Sequence, residues 1–165
     1  MKTTHRIFVG KDVHKFSSAH MTVFPDGTKE SIHGHNFQVT VAFDLLSVEP
    51  EDLLDFGIVK RELAALCDRW DERLLLAEHC PQMTLLRRDT EVEFSLCGKR
   101  YVLPADEVVL LPLSNIVVET LAAQFARELA DSLGPALKRG VVAGMEVTVI
   151  ESSGQGGSYC WEPSL

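Results

Sequence analysis

Between Ile32 and Leu46 the residues alternate in a way that admits one local structure. His33, His35, Phe37, Val39, Val41 and Phe43 share one parity, and Gly34, Asn36, Gln38, Thr40 and Asp44 the other. A period of two is a β-strand with one covered face. The two histidines therefore project together, at the end of an apolar row that faces the core. Gly34 between them points away and leaves the backbone unobstructed. Burying unpaired imidazoles costs free energy, so this pair needs partners. His20, thirteen residues upstream, closes Phe16-Ser17-Ser18-Ala19-His20. That segment can pair antiparallel and aim a third imidazole at the same point. No fourth residue with ligand spacing accompanies the three. A structural zinc usually takes four protein ligands, whereas an open site keeps a position for water or substrate. The pattern therefore reads as an open metal site formed by His20, His33 and His35. Imidazole suits zinc and several other divalent ions.

The chain has 165 residues, enough for one domain over 1–165 with a real core. It is 45% hydrophobic and 24% charged, which is globular rather than disordered composition. Its net charge of -8 argues against a nucleic-acid surface, which needs a basic stripe. The start, Met1-Lys2-Thr3-Thr4-His5, has no apolar run, and no stretch approaches a membrane span. Cys67, Cys80, Cys97 and Cys160 lack Cys-x-x-Cys spacing and read as reduced thiols of a cytoplasmic protein. His79-Cys80 are adjacent, and sequence neighbours rarely form a dyad.

Residues 5–20 predict a first strand and 32–46 a second, joined through the turn Phe24-Pro25-Asp26-Gly27-Thr28. Asp55 predicts a helix N-cap, followed at helical spacing by Ile58, Val59, Leu63, Leu66, Cys67 and Trp70. A second helix carries Val117, Leu121, Phe125, Leu129 and Leu133 and ends at Gly134-Pro135. Strands are expected at 141–151 and 158–162, with a turn at Gly154-Gln155-Gly156-Gly157. Residues 91–111 predict an inserted hairpin. The order gives an α+β fold: a four-stranded antiparallel sheet, two helices on one face, and the hairpin. The open edges of such a sheet invite pairing between copies, which closes a barrel. A homo-oligomer is expected.

Phe16-x-x-x-His20 followed by His33-Gly34-His35-Asn36 resembles the 6-pyruvoyl-tetrahydropterin synthase family, which includes 6-carboxy-tetrahydropterin synthases. The similarity extends along most of the chain. Leu54-Asp55-Phe56 resembles the family's helix entrance, Trp70-Asp71-Glu72 the place of its catalytic Asp-His pair, and Val149-Ile150-Glu151 the end of its third strand. The resemblance implies the tunnelling fold, with trimeric rings that stack into hexamers. It implies Zn2+ held by His20, His33 and His35, and a pterin anchored by Glu151 between subunits. A pyrimidine edge offers ring N–H and amino donors, and a carboxylate accepts two at once.

The chain departs from the family pattern in three respects. Typical members carry a cysteine where this chain has Lys29. Next to it is Glu30, which resembles a subgroup with glutamate in place of the cysteine. That subgroup takes 7,8-dihydroneopterin triphosphate and chiefly cleaves its side chain to 6-hydroxymethyl-dihydropterin, a folate precursor. A carboxylate beside bound metal can take a proton from an acidified hydroxyl. The histidine of the Asp-His pair is Glu72 here, and a carboxylate relays protons poorly near neutral pH unless its pKa is raised. The family's Thr-Glu-Asn stretch reads Val118-Glu119-Thr120: Glu119 survives, and hydroxyls that help hold the pterin become Val117 and Val118. Lys11, Lys15 and Lys29 are scattered and read as surface charge.

The expected protein is a zinc-dependent lyase acting on the side chain of a reduced pterin. Glu30, Asp71 and Glu72 are its catalytic candidates, and Glu119 and Glu151 its substrate-binding ones. The alternatives are a pterin- or purine-binding homologue without the lyase reaction, and a lyase for a different pterin-like metabolite.

Overall fold

The computed structural model describes residues 5–138 and 140–163. The expected first strand is two strands, β1 (His5–Val9) and β2 (Lys15–His20). Both pair antiparallel with the same long strand, β3 (His33–Leu45). β1 runs along its C-terminal half and β2 along its N-terminal half. The break has a steric and a phase reason. At Gly10 the backbone passes over β3 so closely that a Cβ would meet the Thr40 hydroxyl at 2.7 Å. The chain then turns, with His14 N–H donating to the Lys11 carbonyl at 2.8 Å. Val9 and Phe16 differ in parity and would face opposite sides of one continuous strand. The turn resets the phase, and both are buried.

After β3 comes helix α1 (Phe56–Trp70), then β4 (Arg73–Ala77), β5 (Met83–Arg87), β6 (Glu91–Leu96), β7 (Lys99–Pro104) and β8 (Val108–Leu111). Helix α2 (Val118–Leu133) leads to β9 (Val142–Ser152) and β10 (Gln155–Trp161). The large sheet is seven-stranded and mixed, in the order β10-β9-β3-β2-β4-β8, with β1 beside β3. This corrects the expected four-stranded antiparallel sheet. β4 joins β2 in parallel, and β8 joins β4 in parallel. Leu74, Leu75, Leu76 and Ala77 are all buried. A strand covered on both faces shows no alternation, so its period carries no signal. The expected hairpin is also smaller than 91–111. β6 and β7 form it and, with β5, build a separate three-stranded antiparallel sheet, while Val108–Leu111 returns to the large one.

Asp55 caps α1, its carboxylate accepting the Gly57 N–H at 2.6 Å. The helix buries Val59, Leu63, Leu66, Cys67 and Trp70, and α2 buries Leu121, Phe125, Leu129 and Leu133. Gly134 ends α2 with φ +42°, a conformation that favours glycine. Phe16 stacks on Phe37 at 4.9 Å between ring centroids. It meets Trp70 at 5.4 Å and Phe125 at 6.4 Å. Both helices thus cover the sheet face that carries Phe16 and Phe37. Rings of this kind are worth about 3–5 kcal/mol each against alanine. Burial, with Asp68 and Asp71 adding negative charge, pushes the Cys67 thiol up to about 12, so it is inert. Cys80 is a buried free thiol whose hydrogen-bond partner is Gln82 Oε1 at 3.6 Å; its partner is not a histidine. Among the described residues no helix is long and apolar enough to cross a membrane.

Candidate active site

The β2–β3 register places the histidines. His20 is directly opposite His33, and Ser18 is opposite His35. His35 is therefore the diagonal neighbour of His20 on the same face. The row Phe37, Val39, Val41 and Phe43 is fully buried, and the imidazoles stand where it ends. Ring centroids are 4.6 Å apart for His20–His33, 5.4 Å for His20–His35 and 5.0 Å for His33–His35. One nitrogen from each ring falls within 4.8 Å of the others. Gly34 permits the approach. A Cβ there would lie 2.9 Å from the Ser18 carbonyl oxygen, backbone that cannot yield without parting the strands. Gly34→Ala is expected to cost about 1–3 kcal/mol and to weaken metal binding. Urea unfolding and a metal titration check both.

His20 is only 3% exposed, and neither ring nitrogen has a hydrogen-bond partner. Among the described residues only Trp70 Nε1 shares that condition. Burial, then the neighbouring His33 and His35, lowers the His20 pKa. The Ile116 backbone opposes this slightly but lies outside hydrogen-bonding geometry. A neutral imidazole with a free lone pair is the form that binds a metal. His33 Nδ1 lies 2.9 Å from the Ser31 carbonyl. Donation there leaves Nε2 as the acceptor, the backbone support that metal-binding histidines use. Three nitrogens, one from each ring and His20's otherwise without a partner, fit a divalent ion.

Glu30 stands beside the triad, with Oε2 3.8 Å from His33 Nε2. Its backbone N–H donates to the Thr22 carbonyl at 3.0 Å, and its carboxylate accepts the Thr22 N–H at 3.2 Å. Burial alone would raise the Glu30 pKa. Bonds from Thr22, together with any positive charge that His33 and His20 carry when protonated, outweigh it and hold the carboxyl below the usual range. The far side of this loop is tied to the segment before α2. Asn115 behaves as a strand partner, accepting the Val23 N–H at 3.0 Å and donating to the Val23 carbonyl at 2.9 Å. Thr22 Oγ donates to the Ile116 carbonyl at 3.1 Å.

His20, His33, His35, Glu30, Glu119 and Glu151 line one cleft of about 360 Å³, with Thr22, Val117, Val118 and Gln155. Glu119 comes from the first turn of α2 and Glu151 from the end of β9. Two glycines hold these elements together. A Cβ on Gly157 would meet the Glu119 nitrogen at 3.1 Å, and one on Gly156 the Val149 carbonyl oxygen at 2.6 Å. Thr22, Asn115 and Gln155 escaped the sequence reading. Gln155 had a signal, four residues beyond Glu151 across a glycine turn. Asn115 acts through its side-chain amide from 92 residues away, and local pattern does not reveal that.

Asp71 and Glu72 do not join this cleft. Asp71 Oδ1 accepts the Ser17 N–H at 2.6 Å, and the Glu72 N–H donates to the Ser17 carbonyl at 2.7 Å. Glu72 has φ +53°, a strained conformation for a non-glycine residue. The pair grips the backbone of β2. Glu72 lines a second cleft of about 450 Å³, with Ser17, Gly34, Asn36 and Arg73 among its walls.

The fold and the site together define an α+β protein with three histidines that could hold a metal ion, opening on a carboxylate-lined cleft. The chain belongs to the 6-pyruvoyl tetrahydropterin synthase family, whose sequence model matches residues 10–161. It is 34% identical over 146 residues to a Methanocaldococcus jannaschii protein described as "Putative 6-carboxy-5,6,7,8-tetrahydropterin synthase", covering 88% of each chain. Its fold matches that of Plasmodium vivax 6-pyruvoyltetrahydropterin synthase with a TM-score of 0.89 at 22% identity, over 98% of this chain and 99% of that one. That structure is of a variant in which a glutamate described as a catalytic residue is alanine. The Plasmodium falciparum 6-pyruvoyl tetrahydropterin synthase matches equally well, with a TM-score of 0.89 at 20% identity and the same coverage.

Proposed function

We propose that the chain is a zinc-dependent lyase acting on the side chain of a reduced pterin such as 7,8-dihydroneopterin triphosphate. The observation that carries this reading is the buried, otherwise unpartnered His20 beside His33 and His35, with the Glu30 carboxylate at the same cleft. His20, His33 and His35 would hold the metal. Bound there, the ion supplies Lewis acidity at the substrate's side chain. Glu30 is ionised when substrate arrives, as a glutamate is near neutral pH, and its pKa is held lower still. It is a weak base and acts only on a hydroxyl already made acidic, whose proton it accepts. The Plasmodium vivax protein's catalytic glutamate supports this role. Glu151 accepts two N–H bonds from the pyrimidine edge and fixes the ring, and Glu119 lines the same wall. Anchoring the ring holds the reacting carbons at the triad.

Asp71 and Glu72 reach a cleft of this kind only from a second copy of the chain. Their part in the reaction therefore goes with a trimer or hexamer in which subunits share the site. A second reading is a pterin- or purine-binding homologue, favoured by the apolar Val117 and Val118 in the cleft wall. A third is a lyase for a related metabolite. Incubation of the zinc-loaded protein with 7,8-dihydroneopterin triphosphate, with a metal-stripped control, separates them by mass spectrometry. Hydroxymethyl-dihydropterin formed only with metal supports the Glu30 mechanism. A pyruvoyl or carboxy product places the chain with the other synthases. Binding without product supports the second reading.

A further inference from the structure

Lys29 occupies the position next to Glu30, yet its side chain does not line the cleft. Its ammonium instead donates to the Glu30 carbonyl at 2.8 Å and contacts Met21 Sδ at 3.2 Å. It also lies over the ring of Tyr101, 5.3 Å from the centroid. Tyr101 belongs to β7 of the small sheet and stacks on Phe94 of β6 at 4.9 Å and 13°. Phe94 is 1% exposed. A continuous series of contacts thus runs from the core of the small sheet, through two stacked rings and a cation, to the backbone of Glu30. The loop that carries Glu30 is anchored to the segment before α2 by Asn115 and Ile116 on one side, and to the small sheet by Lys29 on the other.

We infer that Lys29 and Tyr101 form a latch by which the small sheet positions Glu30. Lys29 is a positioning residue, since it touches the backbone of Glu30 and not the cleft. A cation over an aromatic face is attracted by the ring's quadrupole. That attraction fixes the ammonium where it meets the Glu30 carbonyl. With the carbonyl held, the Glu30 carboxylate stays on the Thr22 N–H and beside His33. Without the latch, Glu30 itself keeps its two bonds to Thr22, while Asn115 and Ile116 hold the loop further back, at Val23 and Thr22. Misplacement of a reacting group by a fraction of an ångström to an ångström lowers rate far more than it lowers binding.

The inference rests on the proposed role of Glu30, and its test has one arm free of that role. Amide hydrogen exchange of the metal-free protein reads the segment 21–31 directly. Lys29→Met and Tyr101→Leu are each expected to speed exchange there about ten-fold, with other segments unmoved. Lys29→Arg and Tyr101→Phe keep a cation and a ring and should exchange as the parent does. The double variant Lys29→Met/Tyr101→Leu should exchange no faster than either single one, because each removes the same contact. In turnover, Lys29→Met is expected to lower kcat about ten-fold with KM unchanged within about two-fold, and Lys29→Arg to restore it. Parent-like exchange in both Lys29→Met and Tyr101→Leu would overturn the latch. So would a raised KM at unchanged kcat, which would mean that Lys29 binds substrate. A parent protein without turnover would remove the proposed reaction, and the exchange arm would still decide the latch.

Discussion

Glu30→Gln is expected to abolish most turnover while leaving the metal in place. Glutamine keeps the length of the side chain, and its carbonyl can still accept the Thr22 N–H that Glu30 accepts at 3.2 Å. What it loses is the negative charge and the ability to take a proton. General base catalysis contributes about 10²–10⁴-fold, so kcat should fall by about that factor. Bound metal should stay near the parent's level, because the three imidazoles are untouched and Glu30 stands outside the group whose atoms converge. Loss of the negative charge beside His33, 3.8 Å away, should shift metal affinity only modestly. Product formation and metal content, measured on the same sample, check the two halves. Unchanged turnover would remove Glu30 from the mechanism. Lost metal would make it a ligand rather than a base.

The histidine site was legible because β3 alternates. One face of that strand is core and the other is not, so parity alone put His33 and His35 together. Pairing with Phe16–His20 then placed the third ring. The helices were legible for similar reasons: Asp55 caps one, and Gly134 ends the other in a conformation that favours glycine. Elements buried on both sides were not legible. Leu74–Ala77 has no period, and its parallel partners β2 and β8 are far away in sequence. The break between β1 and β2 was hidden because Gly10 serves a close approach to Thr40, which is visible only once β3 lies beneath it. Glu119 and Glu151 were placed by family order, and the structure brings them to the cleft. The same order placed Asp71 and Glu72, and in one copy of the chain they hold Ser17 instead.

His20→Leu is expected to separate metal binding from folding, with opposite signs. In the parent, both His20 nitrogens are buried without a partner. An unsatisfied buried polar atom costs about 1–3 kcal/mol, and leucine of similar volume removes it while still packing beside Phe37. The metal-free variant should therefore be as stable as the metal-free parent, or more stable by up to about 3 kcal/mol. With zinc at about a thousand times its dissociation constant, the parent gains about 4 kcal/mol. In a domain of this size that is a rise in Tm of about 8–16 °C. The variant should gain none of it, since two imidazoles remain where three converged. Thermal melts of both proteins with and without zinc give all four values. A metal-free variant several kcal/mol less stable than its parent would mean that the His20 ring is satisfied and structural. The triad would then have lost the observation that most favours a metal. A stability order that reverses on adding zinc would show that the fold bears the cost of an open imidazole and recovers it when the ion binds.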